Sequence, residues 1–170
     1  MLFHRAALVA NFFGRDRLYG YGDDAERFAF LAKAAAEFMF QAGKRPDIVH
    51  CHDWQTGLVP VLLREQYGES MPGQRVCYTI HNFRHQGTSD ERVLWATQLS
   101  RPGHFLDADR LGDDFRYRGL NPMKGGVVYS DFVTTVSPSH ADERVMRLVR
   151  QSGRSGDPAT RAAPCSGRRR

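Results

Sequence analysis

The sequence predicts an α/β fold, a parallel sheet with flanking helices. Three observations predict it. The short apolar runs Ile48–His50, Arg75–Ile80 and Phe132–Val136 each stop abruptly in polar or aromatic residues. Segments with helical spacing lie between them. Two successive runs end in clusters of His, Asp, Asn and Trp. In a parallel sheet, strands read as continuous apolar runs because helices cover both faces, and ligands sit beyond the strands' carboxyl ends. The two clusters therefore predict one shared crevice.

The elements follow in order. Leu8–Phe13 reads as a short strand entering the glycine-rich turn Gly14–Gly22. Asp23 or Asp24 offers an N-cap with acidic residues in the first turn. Phe28, Leu31, Ala32, Ala35, Phe38 and Met39 recur at helical spacing up to Ala42, where Gly43 can stop the helix. Pro46 leads into strand Ile48–His50. A helix is expected over Thr56–Gln66 with Leu58, Val61, Leu62 and Leu63 inward, and Pro60 is tolerable only near its first turn. Strand Arg75–Ile80 and loop His81–Ser89 come next, then a helix over Asp90–Leu99. Arg101–Gly119 is charged and turn-rich, a surface excursion with short helical pieces. Asn121 caps a helix that begins at Pro122, the favoured first-turn position for proline. Strand Phe132–Val136 and a helix start at Ser137-Pro138 complete the pattern.

A chain of 170 residues fits one domain, and 41% hydrophobic with 25% charged residues is the composition of a soluble globular protein. No apolar run approaches the roughly 20 residues that span a bilayer. The three cysteines, Cys51, Cys77 and Cys165, have no metal-ligand spacing, and a reducing, cytoplasmic compartment is expected. The net charge of +5 is unevenly placed: residues 144–170 hold eight arginines against Asp157 alone, so residues 1–143 carry a net −2. Residues 1–143 are expected to form an incomplete domain. Residues 144–170, rich in Gly, Ser, Pro and Arg, are expected to form a disordered basic tail. Its arginines lack interleaved aromatics, so no nucleic-acid partner is expected.

Several side chains are candidates for chemistry. His50 and His52 share one face of a strand, which suits chelation or ordinary polar capping; with His81 and His85 they make a metal-dependent hydrolase one alternative. Asp53 can accept sugar hydroxyls or order the backbone of the neighbouring loop, and it or Thr56 can instead cap the following helix. Trp54 can stack on a sugar face or anchor the core. His81-Asn82 offers an imidazole beside an amide, suited to a polar ligand without fixed charge. Gly125-Gly126 lacks the spacing of a phosphate loop and reads as a place of close helix–sheet packing.

These segments together resemble the N-terminal catalytic domain of bacterial and plastid glycogen/starch synthases, family-5 glycosyltransferases of GT-B architecture. The resemblance covers roughly residues 10–143 in order. It runs through Tyr19-Gly and Asp23-Asp24-Ala-Glu26-Arg27-Phe28, then Pro46-Asp-Ile-Val-His-Cys-His-Asp-Trp-Gln-Thr-Gly-Leu58, then Tyr78-Thr-Ile-His-Asn-Phe-Arg-His-Gln-Gly87. It ends in Asn121-Pro-Met-Lys-Gly-Gly-Val-Val-Tyr-Ser-Asp-Phe-Val-Thr-Thr-Val-Ser-Pro-Ser-His-Ala141. It implies a partial Rossmann-like parallel sheet, the N-terminal half-domain of such an enzyme.

The family transfers glucose from ADP-glucose, or UDP-glucose in some relatives, to the nonreducing end of an α-1,4-glucan, retaining configuration and using no essential metal or other cofactor. By position, the resemblance places His81 near the glucosyl group and Asp53 and Asn82 in the donor and acceptor crevice. It places Tyr19, Trp54 and Gln86 on the glucan side. Gln55 stands where bacterial members often have His. The family's Lys-x-Gly-Gly-Leu loop and its second domain do not occur in these 170 residues. The expectation is therefore a synthase fragment inactive alone, its basic ending the product of a changed reading frame in GC-rich coding sequence. A noncatalytic glucan-binding module is the alternative.

Overall fold

The computed structural model describes residues 12, 14–136 and 162–164. Four strands form a parallel sheet in the order β1 (Ile48–His52), β2 (Arg75–Ile80), β5 (Phe132–Thr135), β6 (Ala162–Pro164). A small antiparallel pair, β3 (Ser89–Asp90) and β4 (Gly119–Leu120), stands apart from it. The helices are α1 (Asp24–Gln41), α2 (Leu58–Glu65), α3 (Arg92–Thr97), α4 (Pro102–Phe105) and α5 (Pro122–Tyr129). A 3-10 turn, Trp54–Thr56, joins β1 to α2.

The predicted parallel sheet with flanking helices is present, and β1, β2 and β5 lie within two residues of their expected limits. The strand expected over 8–13 lies outside the described residues except for Phe12, whose backbone is helical. The helix start at Ser137-Pro138 also lies outside them. Ala162–Pro164, within the segment expected to be disordered, forms β6 beside β5; the rest of that segment is not among the described residues.

The core lies on one face of the sheet. Cys51, Val76, Tyr78, Ile80 and Val133 are buried there beneath α2 and α5. All of Leu58–Leu63 is buried, so α2 is apolar around its circumference rather than on the one face expected. Pro60 is its third residue, where an α-helix leaves the amide unbonded anyway. The glycine pair of α5 packs closely, as its sequence suggests: a Cβ on Gly126 would lie 2.4 Å from Tyr78 Cζ. Ile48, His50 and His52 of β1 and Phe132 of β5 occupy the opposite face and are exposed. Coverage of both faces is therefore not seen among the described residues.

In α1 the buried stripe is Ala29, Ala32 and Ala36, with Arg27 at its N-terminal end. Leu31 and Phe38, expected inside, are exposed. The small alanines let α1 approach α2 and α3 closely, and the large side chains are turned away. Gly43, with φ +62, follows the helix end as predicted. Asp131, just before β5, accepts the Val76 N–H at 2.8 Å, Arg64 at 2.6 Å and Arg75 at 2.9 Å, tying α2, β2 and β5 together. Those bonds outweigh the desolvation that acts most strongly on it and hold its carboxyl below the usual range.

Candidate functional site

The candidate site lies where β1 and β2 end. His52 pairs with Thr79 in the ladder, and the Asp53 N–H donates to the Thr79 carbonyl at 3.0 Å, so the next residues of both strands emerge side by side. Asp53 then takes φ +54 with ψ −178, a backbone region that side-chain-bearing residues seldom occupy. This turn aims its carboxylate across the strand ends. Oδ1 accepts the His81 N–H at 2.8 Å and the Asn82 N–H at 3.2 Å. Asp53 thus orders the neighbouring loop, one of its two predicted functional uses. It does not cap the following helix. Neither does Thr56, whose hydroxyl donates to the His52 carbonyl at 2.7 Å and accepts the His52 N–H at 2.6 Å.

The histidines form a row. His52 Nδ1 lies 3.0 Å from His81 Nε2, and the His50 and His52 rings are 4.2 Å apart between centroids. His50 Nε2 is 2.7 Å from the Thr79 hydroxyl, which is 2.7 Å from that of Thr134. One of the two facing nitrogens of His52 and His81 must donate, so the tautomer of one ring sets the hydrogen-bonding role of the other. Desolvation first, then the charges of His50 and His81, hold the His52 imidazole below its ordinary value. Among the described residues no group of three or more His, Cys, Asp or Glu is placed to hold one metal ion. Burial pushes the Cys51 thiol up to about 12, which makes it a core residue rather than a nucleophile.

Trp54 is half-buried and anchors the core, the second of its predicted uses. Its ring meets Phe28 edge-on at 5.1 Å between centroids, joining the core. It also borders a cleft of about 300 Å³ lined by Tyr21, Asp24, Glu26, Asp90 and Arg116 among others. Gly87, at φ +71, lies against the indole: a Cβ there would sit 2.2 Å from Trp54 Cε3. Only glycine fits both the turn and the ring.

The remaining candidates divide. Gln86 braces the loop: it accepts from Asn121 Nδ2 at 2.6 Å and donates to the Phe83 carbonyl at 3.2 Å. Asn82 accepts the Arg84 N–H at 2.9 Å and is exposed at the loop mouth. Tyr19 is 63% exposed and does not line the cleft, whereas Tyr21 does.

Two structural residues were not singled out from sequence. Arg27 is buried and bonds the carbonyls of Phe12 and Leu18 while pairing with Asp24, which fixes the turn carrying Tyr21. Lys124 is wholly buried, 2.7 Å from Asp114 Oδ1 and 3.0 Å from the Gly112 carbonyl. The only sequence cue for either was a charged residue inside an otherwise apolar helical stretch. No helix among the described residues is long and apolar enough to cross a membrane.

Comparison with known proteins gives a consistent picture. The model of the starch synthase catalytic domain family matches residues 3–152. Glycogen synthase 1 of Synechococcus sp. is 61% identical over 134 residues, which is 78% of this chain and 27% of that protein. Glycogen synthase 2 of Methylococcus capsulatus is 55% identical over 134 residues, covering 78% of this chain and 28% of its own length. Among solved structures, the catalytic domain of starch synthase IV from Arabidopsis thaliana, bound to ADP and acarbose, superposes with a TM-score of 0.80 at 35% identity. That match covers 91% of this chain and 32% of that one. The chain therefore spans about a quarter to a third of the length of these relatives.

Proposed function

We propose, from the premise that this chain belongs to the starch synthase catalytic domain family of glycosyltransferases, that it forms one wall of the crevice of a retaining α-1,4-glucan synthase. The donor is ADP-glucose and the acceptor is the nonreducing end of glycogen or starch. The observation that carries this reading is the Asp53 carboxylate receiving the His81 and Asn82 amides, because it fixes an imidazole and an amide at the mouth of two adjacent strands. The related starch synthase domain bound to ADP and acarbose supports the choice of ligand classes.

In this reading His81 faces the glucosyl group and supports the positive charge that develops on it as the bond to the diphosphate breaks. Asp53 holds the backbone beneath it and offers Oδ2 to a sugar hydroxyl. Asn82 hydrogen-bonds the sugar, and Trp54 and the cleft beside it receive the glucan. In this reading no described residue of the wall is assigned to the leaving diphosphate, so glucosyl transfer by the chain alone is not expected.

The test is titration of the chain with ADP-glucose and with maltoheptaose, followed by an assay for glucosyl transfer. Binding of maltoheptaose that is weakened by Trp54→Ala, without transfer by the chain alone, is the expected outcome. Turnover above background overturns the need for a second domain. Absence of binding to either ligand overturns the assignment of the crevice.

A further inference from the structure

His81 stands at the end of a polar row that crosses the face of the sheet opposite the core. The row starts on β5, where the Thr134 hydroxyl lies 2.7 Å from that of Thr79, and Thr79 is 2.7 Å from His50 Nε2 on β1. The His50 ring lies against the His52 ring, 4.2 Å between centroids and tilted by 37°. His52 Nδ1 then meets His81 Nε2 at 3.0 Å. The centroids of this last pair are 5.3 Å apart, longer than the nitrogen separation by about two ring radii. The two nitrogens therefore point at each other along one line. That is the geometry of a hydrogen bond, and not of two ligands converging on one metal ion.

Both backbones are already held. The Thr56 hydroxyl accepts the His52 N–H at 2.6 Å and donates to the His52 carbonyl at 2.7 Å. Asp53 Oδ1 accepts the His81 N–H at 2.8 Å. What remains free is the rotation of the two rings, and the bond between them removes it. His52 and His81 are both exposed, where a hydrogen bond competes with water and adds little to stability, so its main consequence is orientation. The place of the proton follows. A neutral histidine prefers its proton on Nε2, and with both rings in that form His81 Nε2–H donates to His52 Nδ1. The reverse bond would require the less favoured form in both rings. Desolvation first, then His50 and His81, hold the His52 imidazole below its ordinary value, which keeps its Nδ1 lone pair available as the acceptor.

We propose that His52 is a positioning residue of the crevice: it takes the His81 Nε2 proton and thereby leaves Nδ1 of His81, as a neutral acceptor, to a hydroxyl of the donor sugar. This rests on the reading in which His81 faces the glucosyl group. An imidazole whose rotation is already fixed takes up a hydroxyl without losing that freedom on binding. A ring without this partner could turn either nitrogen to the sugar, and a cationic one would offer only N–H groups and accept nothing.

The test uses the full chain with isotope-labelled histidine nitrogens and compares wild type with H52N, whose amide oxygen can stand in for Nδ1, and H52L, which accepts nothing. NMR at neutral pH reads the coupling across the N–H···N bond, and calorimetric titration reads ADP-glucose binding. The expected result is a coupling between His81 Nε2 and His52 Nδ1 in wild type, with the proton on His81. That proton exchanges slowly in wild type and H52N and fast in H52L. ADP-glucose binding is expected to weaken about fivefold in H52L and to stay within about twofold of wild type in H52N. Absence of the coupling in wild type, or a proton on His81 Nδ1, overturns the proposal without recourse to any variant. Coupling present but ADP-glucose bound equally by wild type and H52L overturns the positioning role, as does equal weakening in H52N and H52L. Wild type that binds maltoheptaose but not ADP-glucose overturns the proposal and leaves the crevice reading standing. Wild type that binds neither overturns both.

Discussion

One carboxylate oxygen of Asp53 receives the backbone N–H of His81 at 2.8 Å, and through that bond the end of β1 holds the end of β2. The same oxygen also takes the Asn82 amide. Asp53→Ala removes both bonds from a half-buried site and is expected to cost about 1.5–3 kcal/mol, the range for hydrogen bonds to a charged group. Urea denaturation measures the loss, and hydrogen exchange at the His81 and Asn82 amides should accelerate. Wild-type protection of those amides in the variant would show that the loop is held by something else.

Gly126 sits beneath the buried ring of Tyr78. Alanine at this helical position gains about 1 kcal/mol of intrinsic propensity, but its Cβ would lie 2.4 Å from Tyr78 Cζ. Overpacking of that kind costs about 1–3 kcal/mol, so Gly126→Ala is expected to lower the melting temperature. Gly22→Ala is the control, since nothing lies within 4 Å of the Cβ it would add. Equal melting of the two variants would contradict the packing seen between α5 and β2.

Lys124 is a charge taken wholly out of water and compensated by Asp114 and a carbonyl. Breaking a buried pair from one side costs about 3–5 kcal/mol, and the 26% exposure of the Asp114 side chain places this pair near the lower end. Lys124→Met is expected to destabilise accordingly and to loosen the loop that carries Phe115 and Tyr117. Calorimetry and proteolysis within residues 113–118 measure the two effects separately.

Much of this was legible in the sequence, and the exceptions share a cause. β1, β2 and β5 could be read because each is a short run rich in apolar and β-branched residues that ends in polar ones, even though one face of β1 is exposed. The close packing at Gly125-Gly126 could be read because two glycines inside a helix call for a packing reason. The inward face of α1 was misassigned because periodicity weights Leu31 and Phe38 over the alanines, whereas the neighbouring helices required small residues. The burial of Lys124 depends on Asp114 and Gly112, which only the fold brings beneath it. The contact between His52 and His81 depends on the pairing register of two strands. The pair β3–β4 is two residues long on each side and carries no period at all.

Acid is expected to weaken the fold through His52. Its imidazole is held below the ordinary 6.5 by desolvation and by His50 and His81, with Asp53 opposing. The unfolded chain therefore binds the proton more readily, and stability falls as pH drops through and below 6.5. The urea midpoint should decrease between about pH 7.5 and pH 5.5, and His52→Gln should flatten that slope. An unchanged slope in the variant would assign the acid sensitivity elsewhere.

Asp131 acts in a lower window. Its folded carboxyl is held below the ordinary value of 3.8, so its contribution is fully present above that value and is lost as pH falls through the lower folded one. Asp131→Asn should be less stable than wild type at neutral pH, and the gap should shrink as pH falls below 3.8. A gap that stays constant into strong acid would mean that the ion pairs with Arg64 and Arg75 contribute nothing.

The order of the strands in space, β1, β2, β5, β6, is also their order along the chain. During synthesis each of the described strands that follows β1 therefore meets an edge already laid down, and none of the described strands has to wait for a later one to be inserted beside it. The two steps are unequal in reach: Ile48 pairs with Arg75, but Cys77 must find Phe132. The first pairing closes a short loop through α2, whereas the second must first gather α3, α4 and α5. Loop closure becomes slower and costlier as the separation grows. The docking of β5 is thus the expected kinetic bottleneck, and until it occurs the β2 edge is the exposed template from which misassembly would begin.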